Sequence, residues 1–214
     1  RIRVLNAGEI ENKNTRKIFI LPPINHKQNR KHPKYPHQHM PKKIPINLWL
    51  EFLGYYITEG GVEKNPSIGI VQKDSEKVQK IEKCLRKLSK HIGFTLTKIK
   101  DKEYTRFKIT NTQLYYYLEQ FGKKSYEKRL NINLSEYSKK NLKILYKAMM
   151  LGDGSKKEKA FGSTSKELID IFQAIACLIG KSSSKNLHYI GKNRGNRKDM
   201  YRITLSNQKE LCIR

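Results

Sequence analysis

Apolar positions along the chain switch between two spacings, and the switches mark elements. "INLWLEFLGYYITEG", residues 46–60, places Leu48, Phe52, Tyr55 and Tyr56 at helical spacing and is apolar enough to predict a buried helix. "PSIGIVQ" predicts a short strand. In "SEKVQKIEKCLRKL", Val78, Ile81, Cys84, Leu85 and Leu88 fall on one stripe, which predicts an amphipathic helix. "FTLTKIK" and "YTRFKIT" flank the polar turn "DKE" as a hairpin, and "TQLYYYLEQFG" predicts a helix closed by Gly122.

The order then recurs. "NLKILYKAMMLGDG" predicts a helix ending on Asp153 and Gly154, and "AFGST" stands where "GIVQK" stood. "SKELIDIFQAIACL" is the next helix, and "LHYIG" with "MYRITLS" makes a second hairpin. Leu168, Ile171, Ala174, Ile175 and Leu178 lie 90 residues beyond the five stripe residues of the first copy. "FKITN" and "YRITL" match 94 residues apart, as do Glu59 and Asp153. Such offsets predict a duplicated α+β unit, with halves at 46–137 and 138–214.

Residues 1–45 differ. They hold six of the seven prolines and the stretch "HKQNRKHPKYPHQHM", and read as a basic arm or linker. "RIRVL" and "KIFIL" are its strand candidates. Its histidines, His26, His32, His37 and His39, have no cysteine or acidic neighbour, and the prolines oppose a compact metal site.

Charge narrows the partner. Lys plus Arg number 45 against 19 acids, a formal charge of +26. Such self-repulsion suits a polyanion, and nucleic acid leads because phosphate contacts release counterions. An anionic membrane surface comes second, but no apolar run approaches the length of about 18 residues needed to span. Ribosomal proteins are equally basic, so charge alone names no enzyme. Cys84, Cys177 and Cys212 are far apart and lack zinc spacing. With no signal segment they predict reduced cysteines, the first two in the core, and an intracellular protein.

The hairpins alternate, so one face of each carries basic residues. A two-stranded ribbon fits the major groove, where Arg binds guanine through two hydrogen bonds. Candidate DNA contacts are Lys98, Lys100, Arg106 and Lys108 in the first half, and Lys192, Arg194, Arg197 and Arg202 in the second. Against this background Glu59 and Asp153 are anomalous. A carboxylate at a helix C-terminus meets the negative end of the helix dipole. A divalent cation turns that cost into a coordination site, since oxygen ligands suit Mg²⁺. Gly54 and Ala148 hold equivalent positions and permit a close helix crossing that brings both acids together.

"FLGYYITEG" (52–60) and "YKAMMLGDG" (146–154) resemble the paired motifs of the LAGLIDADG homing endonucleases, with Gly or Ala third and an acid plus Gly last. The resemblance spans about residues 46–210. It implies an αββαββα half-fold used twice, a pseudo-two-fold saddle of antiparallel sheets over helices, and cutting of both strands of double-stranded DNA at a long pseudo-symmetric site. It implies Mg²⁺ or Mn²⁺ held by Glu59 and Asp153. "IVQKD" resembles the segment beside the active site in such proteins and nominates Gln72 and Lys73 as catalytic. "EKRLNINL" resembles the "K-x-I-P" element of intein-borne members, with Asn131 in place of the proline, and nominates Lys128. The second half offers Ser163 and Thr164 where Gln and Lys would sit, which predicts unequal cutting of the two strands. The arm and the first motif resemble the entry from a splicing domain into an intein endonuclease. Without Cys or Ser at position 1 or a terminal His-Asn pair, the chain is not expected to splice. A monomer is expected. The alternative is a LAGLIDADG nucleic-acid binder that does not cut, such as an intron RNA maturase or a DNA-binding regulator.

Overall fold

A computed structural model describes residues 17–23, 40–63, 65–155, 157–189 and 198–206. The first half runs α1 (Ile46–Glu59), β3 (Gly60–Val62), β4 (Ser67–Gln72), α2 (Ser75–Ile92), β5 (Thr95–Lys100), β6 (Thr105–Thr110) and α3 (Thr112–Leu118). The second runs α4 (Lys139–Gly152), β7 (Gly154–Ser155), β8 (Ala160–Ser163), α5 (Lys166–Leu178), β9 (Ser182–Tyr189) and β10 (Met200–Ser206). Each half has one four-stranded antiparallel sheet, ordered β3-β4-β6-β5 and β7-β8-β10-β9. The duplication is therefore one of topology. Among the described residues no helix is long and apolar enough to cross a membrane.

Before α1, β1 (Ile18–Leu21) pairs with β2 (Lys42–Pro45). Phe19, Leu21 and Ile44 are buried, and Phe19 stacks on Trp49 with ring centroids 3.9 Å apart. "KIFIL" is thus a strand, and part of the stretch read as an arm is folded onto the first half. "RIRVL" and the four histidines lie outside the described residues.

The helices start where their caps allow. Asp74 accepts from the backbone N–H groups of Glu76 and Lys77, and Ser165 from that of Leu168. These caps are 91 residues apart (74 to 165), and they correct the offset of 90. The buried residues of α2 are Val78, Ile81, Cys84, Leu85, Leu88 and Ile92. Those of α5 are Leu168, Ile169, Phe172, Ile175 and Ala176, not the expected Ile171, Ala174 and Leu178. One residue of slip turns a helix by about 100°, enough to exchange one face for another. It also puts Cys177 on the exposed face, whereas Cys84 is buried as expected. Cys212 lies outside the described residues.

α1 and α4 cross at the centre of the molecule. A Cβ built on Gly54 would sit 2.5 Å from that of Ala148, so the crossing tolerates glycine and alanine and little more. Further toward the C-termini, a side chain at Gly152 would collide with Thr58. At the opposite end Asn141 donates from Nδ2 to Asn47 Oδ1 at 2.8 Å. Asn47 and Asn141, Gly54 and Ala148, Thr58 and Gly152 are all pairs 94 residues apart. Contacts between equivalent positions are the signature of a pseudo-two-fold axis.

Candidate active site at the helix crossing

Glu59 is the last residue of α1, and Asp153 caps α4. Neither helix has an acidic residue in its first turn or a basic one in its last, so neither arranges its charges to suit the dipole. Both acids line a cavity of about 600 Å³ with Gln72, Lys73, Lys123, Lys128, Ser163 and Thr164. Val71, Gly162 and Met200 border it as well, so it touches β4, β8 and β10 and joins the two sheets. A larger cleft of about 720 Å³, bounded by α1, α2 and α4, contains neither acid.

The first-half acid is held from one side. Gln72 donates from Nε2 to Glu59 Oε1 at 2.8 Å. Its own Oε1 accepts the backbone N–H groups of Lys73 and Asp74, so the amide is fixed in orientation. Burial raises the Glu59 pKa, while Gln72 and Lys77 oppose the rise. Asp153 keeps surface open to solvent, yet protein atoms crowd it. Burial first, and the nearby Glu59 charge second, push its pKa up to about 7, with Lys77 and Lys128 pulling the other way. Crowding raises both carboxyl groups, and the Glu59 charge raises Asp153 further, so the pair has a demand for positive charge.

Lys128 responds to that demand from below. It is buried, and its Nζ lies 4.4 Å from the centre of the Tyr56 ring. Among the described residues that Nζ has no hydrogen-bond partner. Burial brings its pKa down to about 8, opposed by Asp153. Its backbone carbonyl accepts from Ser165 Oγ, so the α5 cap also fixes the lysine. Lys73 lines the cavity but extends outward to Glu103 at 3.4 Å, with most of its side chain exposed.

The sequence did not single out Lys77. It donates from Nζ to the Gly152 carbonyl at 3.3 Å and offsets the charge of both acids. A lysine in the first turn of a helix opposes the dipole, and that misfit was its readable signal. In the second half, Ser163 Oγ accepts the Ser165 N–H at 3.1 Å, and the buried Thr164 Oγ1 has no partner among the described residues. No counterpart of Gln72 reaches Asp153 among those residues.

The donors suit a divalent cation such as Mg²⁺: carboxylate oxygens from both halves, beside water-accessible space. Among the described residues no group of three or more His, Cys, Asp and Glu gathers, so the site offers two carboxylates and leaves room for water or phosphate oxygens. Mg²⁺ is commonly bound through one or two carboxylates in this way.

The register divides the candidate DNA contacts. Directly opposed residues of an antiparallel pair share a face. Lys98 and Lys100 stand opposite Phe107 and Thr105, on the helix side of the sheet, and Lys98 is bound to Glu82 of α2 at 2.6 Å. That corrects their expected place on the groove-facing side. Thr97 and Ile99 share the outer face with Lys108 and Arg106. The "FKITN" match is corrected too. Arg202 pairs with Gly162, which is 91 residues beyond Val71, and Val71 pairs with Arg106. Arg202 is therefore the counterpart of Arg106, not of Lys108. Both are tethered: Arg106 to Glu63, and Arg202 to Glu158 at 2.9 Å. Lys192, Arg194 and Arg197 lie outside the described residues.

Neither a protein-family model nor a curated protein sequence matches the chain. Solved structures do. The chain is similar to mesophilic variants of the homing endonuclease I-DmoI, with a TM-score of 0.57 at 16% identity over 76% of this chain and 89% of that one. I-DmoI in complex with DNA and Ca gives 0.57 at 16% identity, over 76% and 84%. The N-terminal LAGLIDADG domain of DUF199/WhiA gives 0.50 at 9% identity, over 77% and 78%.

Proposed function

We propose that this chain, which has the LAGLIDADG fold, is a site-specific endonuclease that hydrolyses both strands of a duplex DNA target. One observation carries the reading: two carboxylates from equivalent helix ends meet in one cavity that joins the two sheets. A protein that only bound DNA would have no need to bear the cost of crowding them. Glu59 and Asp153 would hold Mg²⁺ or Mn²⁺. When bound, such an ion supplies Lewis acidity at the scissile phosphate and lowers the pKa of water. Gln72 fixes the Glu59 carboxylate in orientation. Lys128, with a pKa near 8, supplies positive charge from below and can pass a proton at neutral pH. Arg106, Lys108 and Arg202 face a major groove.

The likeness to I-DmoI, solved with DNA and with Mn or Ca, supports this reading. The likeness to the WhiA domain supports the second one, a binder of nucleic acid that does not cut. Retention of both acids favours the first. The test is cleavage of a randomised duplex library with Mg²⁺, with Glu59→Gln and Asp153→Asn as controls. Cutting by the wild type and not by the controls is the expected result. Specific RNA binding without cutting of any duplex would overturn it. The parent polypeptide, with or without a splicing domain, and a monomeric state belong to the same proposal.

A further inference from the structure

We infer that the cross-strand row Val71–Arg106–Ile99 reads a guanine flanked by thymine, with Arg106 on the guanine and the two aliphatic side chains on thymine methyl groups. The inference rests on the proposed binding of duplex DNA and names what one part of that surface recognises.

Val71 of β4 and Ile99 of β5 both stand opposite Arg106 of β6, so the three share the outer face in a single row. Val71 is 38% exposed and Ile99 46%, although most large apolar side chains of the chain are buried. Phosphate contact gives no reason to flank a guanidinium with two β-branched aliphatics. Base edges do: the thymine C5-methyl is the apolar feature of the major groove, and guanine N7 and O6 are its paired acceptors.

Arg106 is also built to read rather than to sweep. Glu63 binds one terminal nitrogen of the guanidinium. Glu63 is itself fixed, since it accepts from Ser67 Oγ at 3.1 Å and its N–H donates to the Ser67 carbonyl at 2.9 Å. Gly69 makes the space, because a side chain there would collide with the Glu63 carboxylate. One carboxylate contact engages only part of the five N–H donors of arginine; Nε is buried without a partner among the described residues, and the remaining terminal N–H groups are left for acceptors outside the protein.

The second sheet shows the same device with other neighbours. Its row is Gly162–Arg202–Asn186, with Arg202 tethered to Glu158. Met200 lays its methyl over Gly162, and Asn replaces Ile. The two half-sites would then share a guanine and differ in its flanks.

The test selects bound duplexes from a randomised pool with the full chain in EDTA. Arg106→Ala identifies the base pair, as the position where guanine preference is lost. Thymines beside that guanine are then replaced by deoxyuridine, which removes only the methyl. About a fourfold loss of affinity for each methyl is expected for the wild type. The Val71→Ser, Ile99→Ser double variant, which has no side-chain methyl in the row, should fold, bind the parent duplex and show no methyl dependence. Glu63→Gln should weaken guanine preference while leaving the salt dependence of binding unchanged. Equal affinity for thymine and uracil duplexes, or methyl dependence that survives in the double variant, overturns the inference. A pool that yields no bound duplex overturns the DNA-binding reading itself, which is a separate failure.

Discussion

The two halves share a topology and differ in how they equip the same carboxylate. Glu59 is held by an amide that is itself held by two backbone N–H groups. Asp153 has no such holder among the described residues; at the corresponding positions stand Ser163 and Thr164. Instead it borrows charge across the axis, from Lys77 and Lys128 of the first half. A duplicated fold can thus keep its geometry while one copy lends its chemistry to both. The helix crossing tells the same story in packing: glycine on one helix, alanine on the other, in contact.

The largest test of that contrast is removal of the acids. Glu59→Gln and Asp153→Asn should each reduce double-strand cutting by about a thousandfold or more with DNA binding retained, read in parallel cleavage and mobility-shift titrations. If either variant cuts both strands normally, the paired site is the wrong centre.

Next comes the crossing. Gly54→Ala should cost about 1–3 kcal/mol in thermal or denaturant unfolding, because the new methyl meets Ala148 and the Leu145 carbonyl. Adding Ala148→Gly should recover much of that loss, a coupling that distant sites do not show. Simple additivity would mean that the two positions are not in contact.

Proton linkage separates the acid of the second half from the rest. The Asp153 carboxyl has an ordinary value of 3.8 and lies near 7 when folded. Its contribution to stability is therefore full below pH 3.8 and lost as pH rises through about 7. In EDTA, wild type should lose stability relative to Asp153→Asn between pH 4 and 8, and Mg²⁺ should restore it at pH 8. Lys128 runs the other way: its folded value near 8 lies below 10.5, so its contribution is present above pH 10.5 and lost as pH falls through 8. Lys128→Met should therefore raise stability at pH 7, on the order of 1 kcal/mol, while slowing cleavage.

The smallest effect is kinetic. Wild type should accumulate nicked plasmid, since its two sites are unequally equipped. Ser163→Gln with Thr164→Lys should narrow the gap between the two strands several-fold in a supercoiled-plasmid time course. Simultaneous loss of both strands in the wild type would remove the asymmetry altogether.

Much of this was legible in the sequence, and the errors have separate causes. An acid and a glycine ending a greasy helix stand out, and two of them gave the pair. Gln72, nominated beside the site from its segment, donates to Glu59. The repeats, however, diverge through loops of unequal length. Gly60 pairs with Ile70, ten residues on, whereas Gly154 pairs with Phe161, seven on. The offset therefore falls from 94 to 91 within the half, and literal letter matches hide the slip. Lys98 was misplaced because its charge outweighed its position in an alternating strand. The Glu63–Arg106 tether joins residues that are distant in sequence, and no local pattern announces such a contact; for Lys77 the one local sign was its misfit with the dipole of its helix.

The amide pair at the far end of the crossing has a mechanical consequence. Apolar helix packing gives little reason to prefer one lengthwise setting over another a turn away, about 5.4 Å along. A hydrogen bond between the buried Asn141 and the exposed Asn47 does, because one setting brings the two amides together. Asn47 and Asn141 stand twelve residues before Glu59 and Asp153 on their respective helices. The pin at one end thus acts as a gauge for the other, and it levels two acids that never touch it.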